Sequence, residues 1–214
     1  MIALLLVVGV VLYIVLAVVV TLLIRRAFKT GRAKTVATIV SLLAFILIPT
    51  ADDFAGKWYF DHLCEKEAGA KTFKSVEGVK GMLDPGLAPS DLEAMSYEFM
   101  EWKFIGKYYR VKLDSRNKEP KQEIDRPTSR YEVKRGEWRK VQLNVNKYEE
   151  SIVDSQTNEE LGRYTTFSYG GGWVSDVLRS WGLSGGLSCQ LPPNTHKAFY
   201  LNTLKPLVPN TLNK

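Results

Sequence analysis

The sequence predicts an α+β fold. An N-terminal transmembrane helical hairpin, residues 1–51, precedes one mainly antiparallel β domain with short helices, residues 52–214. Two long apolar runs with a basic segment between them predict the hairpin, and the later half of the chain, rich in Tyr, Val, Phe and Thr, predicts the sheet. Two cysteines near opposite ends of residues 52–214 predict that this part closes into a single domain.

The two apolar runs differ in length. Residues 2–24 contain no charged side chain and reach about 34 Å, enough for a hydrocarbon core of about 30 Å. Residues 35–51 reach about 25 Å, and we expect this second helix to end near Pro49, which cannot donate a backbone hydrogen bond. A cleaved signal peptide is a poorer interpretation of the first run, because no basic segment precedes it and no small-x-small site ends it.

The basic segment, residues 25–34, predicts the orientation. Its topology-determining residues are Arg25, Arg26, Lys29, Arg32 and Lys34. Short loops rich in Lys and Arg stay in the cytoplasm. We therefore predict a two-pass protein of the bacterial inner membrane, with its N-terminus and its C-terminal domain on the periplasmic side and the lipid bilayer as its first partner.

Charge argues against a nucleic-acid partner. The chain has a formal net charge of +6, yet residues 52–214 hold 24 basic and 23 acidic residues. Nearly all of the basic excess lies in the predicted loop, which leaves no stripe of Lys and Arg to neutralise a phosphate backbone.

A group of aromatic residues follows the second apolar run. Asp52 and Asp53 mark the predicted return to water, and a short helix is expected over residues 54–64. The predicted membrane-interface residues, which resemble an aromatic belt, are Phe54, Trp58, Tyr59 and Phe60. The alternative is that these aromatic side chains pack into the core of the domain.

Four or five antiparallel strands are predicted in the β domain, within residues 97–102, 106–113, 129–134, 138–153 and 161–169. The clearest alternation of apolar and polar residues is at Val141, Leu143 and Val145. Ser90 and Glu93 have the spacing of a helix capping box, which predicts a single helical turn or a short helix.

The segment of residues 152–162 carries the best local signal, a polar turn between two strands. Asp154 can accept bonds from the backbone amides that follow, and Asn158 tolerates the left-handed conformation. This predicts a hairpin, a structural motif without functional content.

Cys64 and Cys189 are the only cysteines. In an oxidising compartment they predict a disulfide, which would stabilise the domain by roughly 5 kcal/mol in the chain-entropy model. Two buried thiols, or a reactive nucleophile, are the alternatives.

Glycine clusters follow the last predicted strand. The predicted partner-binding segment is Tyr169, Gly170, Gly171, Gly172 and Trp173, in which glycines would expose backbone amides beside an aromatic anchor. In the competing interpretation, Trp173 and Trp181 fill the core around a short helix over residues 173–181. No phosphate-binding glycine motif is present, and residues 182–186 lack the context of a nucleophile elbow.

No catalytic or metal site is predicted, and no cofactor. His62 and His196 are the only histidines. We expect His62 on the helix that leaves the membrane and His196 in a loop. Adjacent carboxylates, which we expect on solvated faces, occur at Asp52–Asp53, Glu149–Glu150 and Glu159–Glu160.

These observations predict a membrane-anchored extracytoplasmic binding protein without catalytic activity, whose partner is another envelope protein. Toxin-immunity and phage-exclusion proteins fit this description. The alternative is an accessory subunit of an inner-membrane complex that assembles through its hairpin, where Ala37, Ser41 and Ala44 would allow close helix packing. An enzyme whose site is assembled from scattered residues is the third hypothesis.

Overall fold

In a computed structural model of the chain, the described residues are 2–28, 31–112, 121–173, 175, 179 and 185–207. They divide into two compact units. Unit 1 comprises residues 1–63, 140–146 and 168–188, and unit 2 comprises residues 64–139, 147–167 and 189–214. The helices are α1 (Ile2–Ala27), α2 (Gly31–Lys66), α3 (Pro89–Ala94) and α4 (Thr195–Thr203).

The strands are short, except for one long hairpin. They are β1 (Gly69–Thr72), β2 (Val76–Val79), β3 (Gly81–Leu83), β4 (Phe99–Phe104), β5 (Lys107–Lys112), β6 (Gln122–Ile124), β7 (Tyr131–Arg135), β8 (Arg139–Lys140), β9 (Val145–Asp154), β10 (Glu159–Tyr169), β11 (Leu187–Ser188) and β12 (Leu204–Pro206).

One large, mainly antiparallel sheet dominates, as predicted. Its order is β1-β10-β9-β7-β3-β4-β5-β6, with β11 beside β10 and β8 beside β9. Strand β3 runs parallel to both β4 and β7, and β2 and β12 form a separate parallel pair. The predicted α+β class is confirmed. The predicted number of four or five strands is wrong, because short strands such as β1, β2 and β3 contain too few residues to show an alternation with a period of two.

Helices α1 and α2 of unit 1 are each long and apolar enough to cross a membrane. They pack against each other through Thr21 and Ser41, whose hydroxyl oxygens lie 3.2 Å apart. Arg25 and Arg26 belong to α1, while Arg32 and Lys34 belong to α2. The turn is therefore shorter than the predicted basic loop of residues 25–34, and Lys29 lies outside the described residues.

The predicted end of the second helix near Pro49 is wrong, since α2 continues to Lys66. Pro49 has no N–H to donate to the carbonyl of Phe45, four residues earlier. The hydroxyl of Tyr13 donates to that carbonyl instead, at 2.6 Å. The helix over residues 54–64 is therefore the continuation of α2 and not a separate element.

The alternation at Val141, Leu143 and Val145 does not mark a strand. Leu143 and Asn144 both have positive φ, and the N–H of Val145 donates to the carbonyl of Gln142 at 2.8 Å. This is a tight turn that leaves Val141 and Leu143 exposed. The residues whose alternation predicted a strand therefore belong mostly to a turn.

Two local predictions at turns and caps have opposite outcomes. The hairpin over residues 152–162 is confirmed: Asn158 is left-handed, and Asp154 accepts a bond from the Gln156 N–H at 3.0 Å. The short helix predicted at residues 90–93 is confirmed as α3, but the capping box at Ser90 is wrong. Helix α3 begins at Pro89 with Ala88 at the N-cap, and it has no side-chain cap.

The hydrophobic core of unit 2 lies between the sheet and helices α3 and α4. Its buried members are Val79, Met82, Leu92, Met95, Tyr97, Met100, Val133, Ile152, Leu161, Phe199, Tyr200 and Leu204. The structure brings Cys64 and Cys189 to disulfide-bonding distance, with their Cα atoms 5.4 Å apart. This is the pairing that the sequence predicts.

Candidate interaction surfaces

The turn between β4 and β5 presents apolar side chains to solvent. Phe104 and Lys107 form the last cross-strand pair, so Ile105 and Gly106 make a two-residue turn. Both have positive φ, 48° and 77°, which is the pattern of a type I′ turn and favours Asn or Gly. We call residues 103–107 the hairpin tip.

Ile105 is in an unusual environment in two respects. Its side chain is 84 % exposed, and a β-branched residue with positive φ costs about 1–2 kcal/mol relative to its ordinary conformation. A turn that served only to close the hairpin would be more stable with Asn at this position. Strain of this kind concentrates at functional sites.

An aromatic face lies behind the hairpin tip. Trp102 on β4 stacks on Tyr109 of β5, with ring centroids 5.8 Å apart. The ammonium group of Lys121 lies 3.7 Å from the centre of the Tyr109 ring and 5.8 Å from that of Phe104. The surface is thus apolar and aromatic with a basic rim, a composition that is enriched in protein interfaces.

A buried carboxylate fixes the base of this hairpin. Glu101 on β4 accepts bonds from the guanidinium of Arg110 on β5 and from the backbone N–H groups of Thr128 and Ser129. Burial alone would raise the pKa of Glu101, but these donors outweigh it and lower its pKa below the usual value. The strands that present the tip are therefore tied to the loop before β7.

Two adjacent aspartates of α2 hold the glycine-rich segment of unit 1. The Gly172 N–H donates to Asp53 at 2.7 Å, and the Trp173 N–H donates to Asp52 at 2.8 Å. The hydroxyl of Tyr169 also donates to Asp53, at 2.8 Å. The bond from Gly172 is the chief cause of a lowered pKa of Asp53. We call residues 169–173 the clamped loop.

The clamped loop differs from the predicted partner-binding segment. Tyr169, Gly171 and Gly172 are buried, so these glycines do not expose their backbone. A Cβ atom on Gly172 would lie 2.7 Å from a carboxylate oxygen of Asp52, which explains the glycine by close approach. Trp173 is 47 % exposed and is not a core residue. Trp181, the other predicted core residue, lies outside the described residues.

The predicted interface aromatics separate into two groups. Phe54 and Trp58, one helical turn apart on α2, are largely exposed, and His62 stacks on Trp58. Tyr59 is partly buried, whereas Phe60 is buried and stacks on Tyr169 at 5.9 Å. Phe60 therefore fixes the clamped loop and follows the alternative in which these aromatic side chains pack into the core.

A buried carboxylate in unit 2 was not predicted from the sequence. Glu150 was expected on a solvated face, but it is buried, and its Oε1 accepts the Tyr200 hydroxyl at 2.6 Å. Nε2 of His196 lies 3.0 Å from the same oxygen. His196 belongs to α4 and not to a loop, so the cluster ties α4 to β9. His196 and Glu150 lie 46 residues apart in the sequence, so no local pattern indicates that they pair.

The Glu150 cluster resembles half of a catalytic arrangement, a histidine oriented by a carboxylate. His196 also lines a surface groove with Tyr164 and Thr195. The Thr195 hydroxyl, however, donates to the carbonyl of Pro192 at 2.6 Å. Within the described part of the chain, no group of three or more His, Cys, Asp or Glu side chains is placed to hold a metal ion.

Comparisons with protein-family models, with curated proteins and with solved structures find no match to this chain. The function is therefore inferred from the chain's own surfaces.

Proposed function

We propose that this protein is anchored in the bacterial inner membrane by α1 and α2 and acts as a non-catalytic binding protein. Its partner is another envelope protein, and its binding surface is the hairpin tip. Toxin-immunity and exclusion-type proteins are the functional classes that fit such a tethered binding domain.

The membrane location is supported by the surfaces of α1 and α2. Only 6 % of each apolar window is buried within the structure, whereas the core helix of a soluble protein is mostly buried. Large Val, Leu and Ile side chains cover these helices, and soluble proteins rarely expose such continuous apolar surface. The basic residues around the turn favour a cytoplasmic turn and a periplasmic domain.

One observation carries the binding role, namely Ile105 at the hairpin tip. Here a large apolar side chain is held in water by a backbone conformation that disfavours it. A partner pocket that buries this side chain would recover hydrophobic free energy of about 1.5–3 kcal/mol. Behind it, Tyr109 is partly exposed and belongs to a residue type that is enriched at binding hot spots, whereas Trp102 packs against the core of unit 2 and supports this surface from below.

The alternative of an accessory subunit has less support. It relied on small residues of the second helix as an interface with other proteins. Ser41, the central one, is buried and meets Thr21 of α1. That residue serves packing within the chain.

Photocrosslinking tests the binding surface directly. A photoreactive phenylalanine analogue is placed at Phe104 in the full chain, in cells of its own host. Phe73, which is 57 % exposed against 56 % for Phe104, receives the same group as a matched control site. We expect one discrete protein adduct from position 104 and none from position 73.

Two asparagine variants sharpen the test. I105N should abolish the adduct from position 104, because it removes the apolar side chain from the tip. L143N changes another exposed apolar residue with positive φ and should leave the adduct unchanged. Equal adducts from positions 104 and 73, or an adduct that survives I105N, would contradict the proposed binding surface.

A separate experiment tests the anchor. A reporter active only outside the cytoplasm should work when fused after Lys214, and one active only inside should work when inserted near Gly31. The reverse pattern would contradict the periplasmic assignment.

A further inference from the structure

The clamped loop lies at a defined height along α2. The apolar run of this helix ends at Ala51, and at about 1.5 Å per residue Asp52 lies about 2 Å beyond it. The headgroup layer on each side of a bilayer is about 5–7 Å thick. Asp52 is therefore at headgroup height if this apolar run fills the hydrocarbon core.

Trp173 is fixed at the same height. Its backbone N–H donates to the Asp52 carboxylate, and the preceding residue donates to Asp53. The loop is also held by Asn144, whose side-chain amide donates to the Gly171 carbonyl at 2.8 Å. The backbone of a half-exposed tryptophan is thus hydrogen-bonded to α2 just beyond its apolar run, although Trp173 is distant from that helix in sequence.

We propose that Trp173 is a bilayer-interface anchor, inserted into the headgroup layer. The proposal rests on the membrane location proposed above. An indole has an apolar body and a polar N–H, which is why Trp is enriched at this depth of membranes. The hydrogen bonds to Asp52 and Asp53 would then hold the clamped loop at a fixed distance from the bilayer surface.

A lipid partner is favoured over a protein partner because the exposed apolar surface continues along α2 from the proposed membrane-spanning part. Exposed apolar side chains run along α2 through Ile48 and reappear at Phe54, and helical side chains lean back toward the N-terminus and thus toward the bilayer. Trp58 lies about 10 Å beyond Ala51 and so outside the headgroup layer. The depth argument therefore separates Trp173 from Trp58, although both are exposed.

The proposed anchor does not require an anionic lipid. Asp52 and Asp53 bring negative charge beside the indole, so an anionic headgroup offers no attraction at this point. We expect the anchor to act equally in zwitterionic vesicles and in vesicles that contain phosphatidylglycerol.

Fluorescence quenching tests the anchor on the full chain in phosphatidylcholine vesicles. Lipids brominated in the upper part of the acyl chain should quench the tryptophan emission more than lipids brominated near the chain end. W173F should remove the largest share of that quenching. W138F, which removes a tryptophan of similar exposure in unit 2, and W58F should leave the quenching unchanged.

Extraction with alkaline carbonate distinguishes the two possible failures. If the chain stays with the vesicles and W173F quenches like W138F, Trp173 faces water or a protein and the inference is wrong, while the membrane location stands. If carbonate extracts the chain, the membrane location fails and the anchor fails with it. Phenylalanine keeps an aromatic ring at position 173, and an unchanged melting temperature verifies that the variant is folded.

Discussion

The hydroxyl of Tyr13 in α1 donates a hydrogen bond of 2.6 Å to the backbone carbonyl of Phe45 in α2. That carbonyl is the one that Pro49 leaves without an intrahelical partner. Because an unpaired carbonyl in an apolar environment costs several kcal/mol, the pair explains how α2 continues through a proline. The two rings also contact each other, with centroids 5.9 Å apart in an edge-to-face arrangement.

We predict that Tyr13 and Pro49 are energetically coupled. Y13F leaves the Phe45 carbonyl unpaired and should destabilise the helix pair by about 1–3 kcal/mol. P49A restores a backbone N–H that can bond to Phe45, so Y13F should cost much less in the P49A background. A double-mutant cycle, measured by unfolding of the full chain in detergent, gives the coupling.

The matched control for this cycle is Thr21→Val combined with P49A, because Thr21 contacts Ser41 and not Phe45. Its cost should be the same in both backgrounds. Equal costs of Y13F with and without Pro49 would show that the Tyr13 hydroxyl does not replace the missing amide.

Local chemistry explains which elements the sequence predicts. The turn after Asp154 is specified by its own residues, and Asn158 adopts the left-handed conformation that its side chain tolerates. The continuation of α2 is not local, since Tyr13 lies 32 residues before Phe45. The clamp is still less local, because 119 residues separate Asp53 from Gly172. The sequence of two adjacent aspartates therefore predicted only a solvent-exposed position, although in the fold both accept hydrogen bonds from the clamped loop.

The hairpin tip could not be predicted for a different reason. An alternating pattern reports which face a strand buries, but it does not report the sign of φ at the turn. From the sequence alone, Ile105 and Gly106 are therefore interpreted as the end of one strand and the start of the next. The structure adds the backbone conformation and the exposure, which together distinguish a strained apolar tip from an ordinary hairpin.

Removal of the disulfide should destabilise unit 2. C64A and C189A should behave alike and cost about 2–5 kcal/mol in free energy of unfolding, because the bridge joins cysteines that are 125 positions apart in the sequence. The oxidised chain should migrate faster than the reduced chain in non-reducing electrophoresis. Complete alkylation of both cysteines in the native protein without reductant would contradict the pairing.

The Glu150 cluster should make stability depend on acid pH. Burial alone would raise the pKa of Glu150, but the bonds from His196 and Tyr200 outweigh it and lower its pKa below the ordinary value of 4.5. The ionised form therefore stabilises the fold. This contribution is complete above pH 4.5 and is lost as the pH falls through the lower native pKa.

E150Q measures that contribution. At neutral pH it should lower the free energy of unfolding by about 1.5–3 kcal/mol, the range for a hydrogen bond to a charged group. The difference from the wild type should shrink as the pH falls below 4.5. Glu77, an exposed glutamate that pairs with Lys205, gives the control E77Q, which should change little. A difference that is constant from neutral to acid pH would show that ionised Glu150 does not stabilise the fold.

The strained hairpin tip gives a prediction in which stability and binding change in opposite directions. Asn tolerates positive φ and Ile105 is exposed, so I105N should raise the free energy of unfolding by about 1 kcal/mol while it weakens partner binding. L143N relieves the same kind of strain in the turn before β9 and should also stabilise the chain, without any effect on the partner. The measurement is thermal unfolding of both variants beside the crosslinking yield from position 104. If I105N is less stable than the wild type, Ile105 supports the fold, and its exposure is then not a sign of binding. If both variants are stabilised and only I105N loses its partner, the isoleucine is kept at the tip for recognition at a cost in stability.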